Sequence, residues 1–101
     1  MDLDKKICAI LASDIVGFSS MMELDEDGTI RKIKELRISI DQLVEQHQGR
    51  VFHTAGDSIL VDFISPAQAV QCAVEWQKLI EEKNLQDPSF NLVYRIGVNV
   101  G

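Results

Sequence analysis

Two aspartates, Asp14 and Asp57, have side chains and surroundings that suit the binding of a metal ion together with phosphate. Asp14 comes shortly after an apolar run that extends from Ile7 to Ala12. Asp57 follows Gly56 between two short runs of alternating apolar and polar residues. Hard divalent cations prefer oxygen ligands, and Mg²⁺ usually takes one or two carboxylates plus the phosphates of a substrate. Either aspartate alone is most simply a turn or cap residue, but the pair predicts a metal site.

The segment before Asp14 must position that carboxylate. Its apolar run is too short and too rich in β-branched residues for a helix, so it predicts a buried strand, Lys5 to Ser13, followed by a turn, Asp14 to Gly17. Open sheets place their ligand sites at the C-terminal ends of strands. Gly17 lets the backbone approach a ligand closely, and free N–H groups in such a turn suit phosphate oxygens.

The segment around Asp57 predicts a β-hairpin from Arg50 to Phe63. The dipeptide Gly56-Asp57 separates its two β-type runs and is typical of a tight turn. We therefore expect Asp57 at the tip of the hairpin.

Two long helices are predicted from apolar residues that recur at helical spacing. The first begins after Asp25, the predicted N-cap, and ends at Gly49, which suits a left-handed cap. The second begins at Ser65-Pro66, an N-cap followed by proline at the first helical position. The residues expected to face inward are Ile30, Ile33, Leu36, Ile40, Leu43 and Val44 in the first helix and Ala69, Val70, Ala73, Val74, Trp76 and Ile80 in the second.

Three smaller features complete the order of elements. The segment Phe18 to Leu24 predicts a short helical turn whose apolar residues, Leu24 among them, face inward. His47 lies in the last turn of the first long helix, where it is most simply a partner of the helix C-terminus. Phe90 to Val100 alternates well enough to predict a last strand.

The resulting order is strand, helices, strand, strand, helix, strand. This is the split βαβ, or ferredoxin-like, arrangement. We expect an α+β fold with a β-α-α-β-β-α-β core, in which both long helices cover one face of an antiparallel sheet. In that fold the strand ends that carry Asp14 and Asp57 are neighbours.

Length, charge and cysteine content narrow the class of protein. A chain of 101 residues forms one domain. Its net charge of −6 argues against nucleic-acid binding but is compatible with a metal–nucleotide substrate. No apolar run approaches the ~18 residues of a membrane span. Cys8 and Cys72 are expected to be reduced core residues rather than a disulfide, which with the polar N-terminus favours a cytoplasmic protein.

Several motifs, taken in order, resemble the catalytic domain of the class III adenylate/guanylate cyclases, most closely the bacterial type. The motifs are Ala12-Ser13-Asp14-Ile15-Val16-Gly17-Phe18-Ser19, Gly49-Arg50-Val51, Thr54-Ala55-Gly56-Asp57 with Leu60 and Phe63, Ala69-Val70-Gln71-Cys72-Ala73, and Arg95-Ile96-Gly97-Val98-Asn99-Val100-Gly101. They extend over nearly the whole chain at the family's spacing. Each motif alone is a weak signal, but the ordered set is specific.

The resemblance implies a metal site in which Asp14 and Asp57 match the two metal-binding aspartates. Ile15 matches the position whose backbone carbonyl also contacts metal. The family uses two divalent cations, Mg²⁺ or Mn²⁺. One of them lowers the pKa of the ribose 3′-hydroxyl, and the other neutralises the β- and γ-phosphates.

The resemblance also implies the substrate and the assembly. Gly17, Phe18 and Ser19 match the turn whose backbone holds the triphosphate. The family converts a nucleoside triphosphate into its 3′,5′-cyclic monophosphate and pyrophosphate. We therefore expect a phosphorus–oxygen lyase of intracellular signal transduction that uses ATP in preference to GTP. Active sites of the family form between two catalytic domains, which implies a head-to-tail homodimer.

The residue at the base-reading position departs from the family pattern. Adenylate cyclases usually carry a lysine there that reads the adenine ring, and this chain has His53. Histidine donates or accepts a hydrogen bond according to its tautomer, so it does not decide between ATP and GTP. It is equally interpreted as a polar strand residue on the open face of the sheet.

The second departure concerns the end of the sequence at Gly101. In the family the next segment supplies another base-reading residue, an asparagine that orients the ribose and an arginine that stabilises the transition state. No catalytic residue is assignable within residues 1–101, and Arg95 does not match the motif of that arginine. We expect a cyclase domain truncated at its C-terminal side and inactive, or nearly so, by itself.

Three alternatives remain. A diguanylate cyclase shares the fold and the use of carboxylates to bind metal ions. Its Gly-Gly-Asp/Glu-Glu-Phe motif, however, is matched poorly by Ala55-Gly56-Asp57-Ser58-Ile59. A degenerate cyclase-like module would bind nucleotide or a partner without turnover. A plain ferredoxin-like interaction domain would use its aspartates only as caps.

Overall fold

The computed structural model of the chain describes residues 6–101. The elements are β1 (Ala9–Ile15), α1 (Phe18–Leu24), α2 (Glu26–Gln46), β2 (Arg50–Ala55), β3 (Ser58–Phe63), α3 (Pro66–Gln86) and β4 (Tyr94–Val100). The four strands form one sheet in the order β2-β3-β1-β4, and all neighbours are antiparallel. The predicted α+β, ferredoxin-like fold is confirmed.

The period-two alternation of β1 divides the sheet into a covered and an open face. Ala9, Leu11 and Ile15 are buried and pack in one cluster with residues of α2 and α3. Ile10 and Ala12, which alternate with them, are exposed. We call the side that carries Ile10 and Ala12 the open face. None of the helices in the described part of the chain is long and apolar enough to cross a membrane.

Both long helices begin where their caps predicted. The Asp25 carboxylate accepts a hydrogen bond from the Gly28 N–H at 3.0 Å, which satisfies one of the free donors at the start of α2. The Ser65 hydroxyl accepts one from the Gln68 N–H at 3.3 Å, and proline occupies the first turn of α3. Trp76 is fully buried in the core, as expected.

The end of α2 differs from the prediction in two ways. Gln48, not Gly49, adopts the left-handed conformation, with φ of 60°. Gly49 is needed for space, because a Cβ there would lie 2.6 Å from the Phe63 ring. His47 does not partner the helix end. It bridges to α3 with Nδ1 2.8 Å from the Gln68 side-chain oxygen and Nε2 2.6 Å from a Glu75 carboxylate oxygen.

The outer strands have different limits from those predicted. β1 begins at Ala9 and runs on to Ile15, because its last residues pair with β4; Lys5 lies outside the described residues. The last strand begins at Tyr94 rather than Phe90. Leu92 exchanges two hydrogen bonds with the Asn84 side chain, at 2.7 and 3.0 Å, instead of pairing with a strand.

A few apolar side chains predicted to face inward are exposed. Leu24, the last residue of α1, is 87% exposed, and Val70 and Val74 of α3 are each half exposed. The buried row of α3 consists of Ala69, Cys72, Trp76 and Ile80. At 3.6 residues per turn, the two valines lie roughly 100° or more round the helix from this row. Cys8 precedes β1 and is only partly buried, whereas Cys72 is fully buried; both are free thiols.

Candidate functional site

The C-terminal end of β1 and the tip of the β2–β3 hairpin meet at one end of the sheet, where these strands terminate. The antiparallel register pairs Ser13 with Ile59, so the C-terminal end of β1 lies beside the turn that precedes β3. There the Ile15 N–H donates a hydrogen bond to a carboxylate oxygen of Asp57, Oδ2, at 2.6 Å. These residues are 42 positions apart in the sequence. The fold thus brings Asp14, Ile15 and Asp57 together.

Asp14 lies on the open face and forms an ion pair that the sequence analysis did not assign. The register of β1 and β4 places it directly opposite Arg95. The guanidinium donates from Nε to Oδ1 at 2.8 Å and from Nη2 to Oδ2 at 2.9 Å. These hydrogen bonds hold the pKa of Asp14 below its usual range. Opposite charges often pair across neighbouring strands. That rule could have predicted this ion pair only if the register between residues 81 positions apart were known.

The two carboxylates therefore differ in what they offer a cation. Both oxygens of Asp14 accept hydrogen bonds from Arg95. Asp57 uses Oδ2 for the Ile15 N–H, and its Oδ1 has no hydrogen-bond donor among the described residues. Within residues 6–101, no group of three or more histidine, cysteine, aspartate or glutamate side chains is placed to hold a metal. A cation at this end of the sheet would thus need ligand atoms from backbone carbonyls, water or a bound substrate.

The turn after β1 forms the third part of the site. Gly17 adopts a left-handed conformation, with φ of 74°, and precedes the first residue of α1. Its carbonyl accepts the first helical hydrogen bond, from the Met21 N–H at 3.0 Å. The N–H groups of Phe18 and Ser19 lie in the first turn, where a helix leaves its donors unpaired.

The side chain of Phe18 lies between the core and the hairpin turn. Its side chain is partly buried and packs against the core. The ring edge lies 3.6 Å from the position that a Cβ on Gly56 would occupy. Residues 17–19 therefore lie next to the hairpin turn that carries Asp57.

A pocket of about 350 Å³ opens beside the site on the open face. It is lined by Ala12, Ser13, Asp14, Ser58, Leu60, Arg95, Ile96 and Gly97. A slightly larger pocket, about 400 Å³, lies at the opposite end of the sheet around Arg50 and Asp62. There Arg50 Nη2 lies 2.6 Å from Asp62 Oδ2. We assign that pair to structure, because neither residue lies near the aspartates of β1 and the hairpin.

His53 is exposed on β2, just after a bulge between Val51 and His53. It pairs with Leu60 of β3, and Leu60 in turn pairs with Ala12 of β1. Directly opposed residues share a face, so His53 lies on the open face, two strands away from β1 and in line with the pocket that contains Leu60.

Comparison with known proteins relates this arrangement to one family. The sequence profile of the family described as the adenylate and guanylate cyclase catalytic domain matches residues 3–101. A protein of Rhizobium meliloti (strain 1021) named "Putative adenylate cyclase 3" is 41% identical over 102 residues, which cover 96% of this chain and 17% of that protein.

Solved structures share the fold. The adenylate/guanylate cyclase/hydrolase from Silicibacter pomeroyi is 35% identical with a TM-score of 0.83, over 95% of this chain and 57% of that one. The guanylyl cyclase Cya2 is 29% identical with a TM-score of 0.82, over 95% of this chain and 54% of that one. The chain thus spans about half the length of these two structures and less than a fifth of the Rhizobium relative.

Proposed function

Because the chain belongs to the adenylate and guanylate cyclase catalytic domain family, we propose that it is the part of a nucleotide cyclase that holds the divalent cations and the triphosphate. The reaction proposed is conversion of ATP, or less readily GTP, into the 3′,5′-cyclic nucleotide and pyrophosphate. The observation that carries the proposal is the hydrogen bond from the Ile15 N–H to Asp57, which holds the second carboxylate beside Asp14.

The donor set fits two divalent cations, Mg²⁺ or Mn²⁺. Asp14 and Asp57 supply carboxylate oxygens and Ile15 a backbone carbonyl, and hard cations prefer such ligands. The Oδ1 of Asp57, which accepts no hydrogen bond from residues 6–101, supports this assignment. When bound, the cations lower the pKa of the ribose 3′-hydroxyl and offset the charge of the β- and γ-phosphates. The protein's part is to keep the two carboxylates fixed at the end of β1 and at the hairpin tip.

The triphosphate is assigned to the turn of Gly17, Phe18 and Ser19. A side chain at Gly17 would be strained at its positive φ. The backbone N–H groups that follow are donors without partners in the helix. The position of the Phe18 ring close to Gly56 supports a fixed distance between the phosphate donors and Asp57.

His53 is proposed to contact the base. Its place on the open face supports this role, since the pocket lined by Asp14 and Leu60 lies on the same side. The preference for ATP is supported by the 41% identity to a relative named as an adenylate cyclase. An imidazole can serve as donor or acceptor toward either purine, so we expect the preference to be modest.

We further propose that residues 1–101 are one part of a cytoplasmic cyclase domain that works as a homodimer. The solved relatives are nearly twice as long as the stretch they share with this chain. No residue of the chain is assigned to ribose orientation or transition-state stabilisation. We therefore expect the 101 residues alone to bind metal and nucleotide with little or no turnover.

The experiment that tests this function is calorimetric titration of the chain with a non-hydrolysable ATP analogue in Mn²⁺, repeated with the GTP analogue. We expect binding that requires the metal and favours ATP. Asp57→Ala should weaken it roughly 10- to 100-fold, the range seen when even an outer partner of a metal site is removed. Asp41→Ala is the matched control, because Asp41 is an exposed carboxylate on α2 paired with Arg37.

Equal binding by the wild type and Asp57→Ala would contradict the proposal and favour the interaction domain with structural aspartates. A second candidate, the degenerate module without turnover, is favoured by one observation, the occupation of both Asp14 oxygens by Arg95. A cyclase assay on the longest natural form of the protein separates the two. Cyclic nucleotide formation that Asp57→Ala abolishes supports the enzyme, and its absence in a folded protein supports the module.

A further inference from the structure

The ion pair between Arg95 and Asp14 has a consequence for how a cation enters the site. We propose that Arg95 is an internal counter-ion that occupies the Asp14 carboxylate until a divalent cation displaces it. Cation binding is then an exchange of a guanidinium for a metal ion rather than a simple addition. This inference rests on the proposed metal site at Asp14 and Asp57, and it assigns to Arg95 a role that the family motifs do not.

The geometry makes Arg95 and a cation direct competitors. The guanidinium engages Oδ1 and Oδ2 together, at 2.8 and 2.9 Å. Each oxygen keeps a further lone pair, but a cation that bound there beside Arg95 would lie close to a like charge. Asp57 is different, because its Oδ2 is bound by a backbone N–H and its Oδ1 is left for a cation. The two carboxylates are therefore unequal, and the Asp14 position is the one that requires displacement.

The position of Arg95 makes the displacement inexpensive. Its side chain is 70% exposed and lies on β4, at the edge of the sheet. Its side-chain hydrogen bonds within the described residues all go to Asp14. An exposed ion pair of this kind changes an equilibrium constant only by a factor of about 1.4 to 5. A cation with two charges can therefore replace it, while in the absence of metal the pair keeps the carboxylate neutralised.

The competing explanation is that Arg95 orients Asp14 for the metal. The two explanations predict opposite changes in metal affinity when the charge of Arg95 is removed. If Arg95 competes, removing its charge tightens metal binding. If Arg95 positions the carboxylate, removing it weakens metal binding. Metal affinity measured without nucleotide therefore decides between them.

The test is a Mn²⁺ titration of the 101-residue chain, followed by the paramagnetic resonance signal of free Mn²⁺. We expect Arg95→Gln to bind Mn²⁺ about 1.4- to 5-fold more tightly than the wild type, because the metal no longer has to break an ion pair that is worth about this factor. Arg95→Lys keeps the charge but not the forked pair of bonds, so its affinity should fall between the two. Asp57→Ala should bind Mn²⁺ more weakly than the wild type.

A second measurement does not depend on the variants folding. In the wild-type protein, the NMR signal of the Arg95 Nε–H group should shift toward that of a solvent-exposed arginine as Mg²⁺ is added. The signals of Arg37 and Arg50, which pair with Asp41 and Asp62, should stay in place.

The outcomes separate this inference from the proposed function. Mn²⁺ binding that Asp57→Ala weakens but Arg95→Gln leaves equal or weaker would overturn the exchange and keep the metal site. Absence of Mn²⁺ binding in every folded variant would overturn both. An Arg95 signal that Mg²⁺ leaves unmoved while Mg²⁺ binds would also contradict the exchange.

Discussion

At the scale of single residues, the surroundings of a side chain decide its chemistry more than its type does. Asp14 and Asp57 are the same amino acid at the same end of one sheet. The first shares both oxygens with a guanidinium, and the second is bound by a backbone N–H. The same contrast holds for the two cysteines, because Cys72 is fully buried and Cys8 is not.

The cysteines provide a residue-scale prediction. Burial, with the Glu75 charge adding to it, raises the pKa of Cys72 from 9.0 to about 11. Because the thiolate is the reactive form, we expect Ellman's reagent at pH 8 to modify Cys8 alone in the folded protein and both thiols after unfolding in urea. Cys8→Ser is the control, and its folded form should stay unmodified. Fast reaction of that variant would show that Cys72 is accessible.

The same shift gives the direction of a pH effect on stability. The unfolded chain ionises Cys72 near pH 9, whereas the folded chain keeps it neutral to about pH 11. The free energy of unfolding should therefore fall as pH rises through that window, and Cys72→Ala should lose this part of the dependence.

At the residue scale, the sequence predicts Asp14 and Asp57 as metal ligands, but it does not predict the ion pair between Asp14 and Arg95. Each aspartate follows a β-type run and a small residue, so the local sequence indicates a strand end or a turn. The role of Arg95 depends on which residue of β1 faces it across the sheet. That register is set by the whole antiparallel pairing of two strands at opposite ends of the chain, and no local signal carries it.

At the scale of elements, helix starts were predictable and strand limits were not. Asp25 and Ser65 act through hydrogen bonds to residues three positions away, which makes a cap a local property. The limits of β1 and β4 follow from each other, because Asp14 and Ile15 count as strand only through their partners Arg95 and Tyr94.

The junction between α2 and β2 provides a prediction at this scale. A Cβ on Gly49 would lie 2.6 Å from Phe63 Cε2 and 2.9 Å from Val61 Cγ1, both buried. Because the added methyl group would overpack the core against these two side chains, Gly49→Ala should lower the free energy of unfolding by about 1–3 kcal/mol. Urea denaturation followed by circular dichroism measures it.

The matched control for this change is Gly97→Ala. Gly97 lies in β4, and a Cβ there would meet no atom within 4 Å. We expect its unfolding free energy to stay within about 0.5 kcal/mol of the wild type. Equal destabilisation by both variants would mean that the contact with Phe63 is not the cause.

At the scale of the whole molecule, the helices within residues 6–101 cover one side of the sheet and leave the other open. The open face exposes Ile10 and Ala12 of the central strand β1, and Leu60 lies beside them in the register. An uncovered sheet face with apolar side chains suits a second protein surface. This is where we expect the proposed homodimer to form.

That expectation is tested with a charge at the centre of the open face. Leu60→Glu should shift the chain toward monomer in sedimentation velocity across a concentration series, because a carboxylate must lose its hydration in the interface. Leu85→Glu is the control, since Leu85 is 76% exposed on α3 and away from the open face. Dimerisation unchanged by Leu60→Glu, or a monomeric wild type at high concentration, would argue against this interface.

The central position of β1 in the sheet also affects folding during synthesis of the chain. Among the described elements β1 is synthesised first, and β4, one of its two neighbours, is synthesised after all the others. At a synthesis rate of about 5–20 residues per second, the roughly 80 residues between them take about 4–16 s to appear. Throughout that interval the N–H and C=O groups on one edge of β1 have no partner strand. Unpaired strand edges of this kind can pair with another chain. The ribosome's speed over α3 and β4 thus becomes part of what the yield of folded protein depends on.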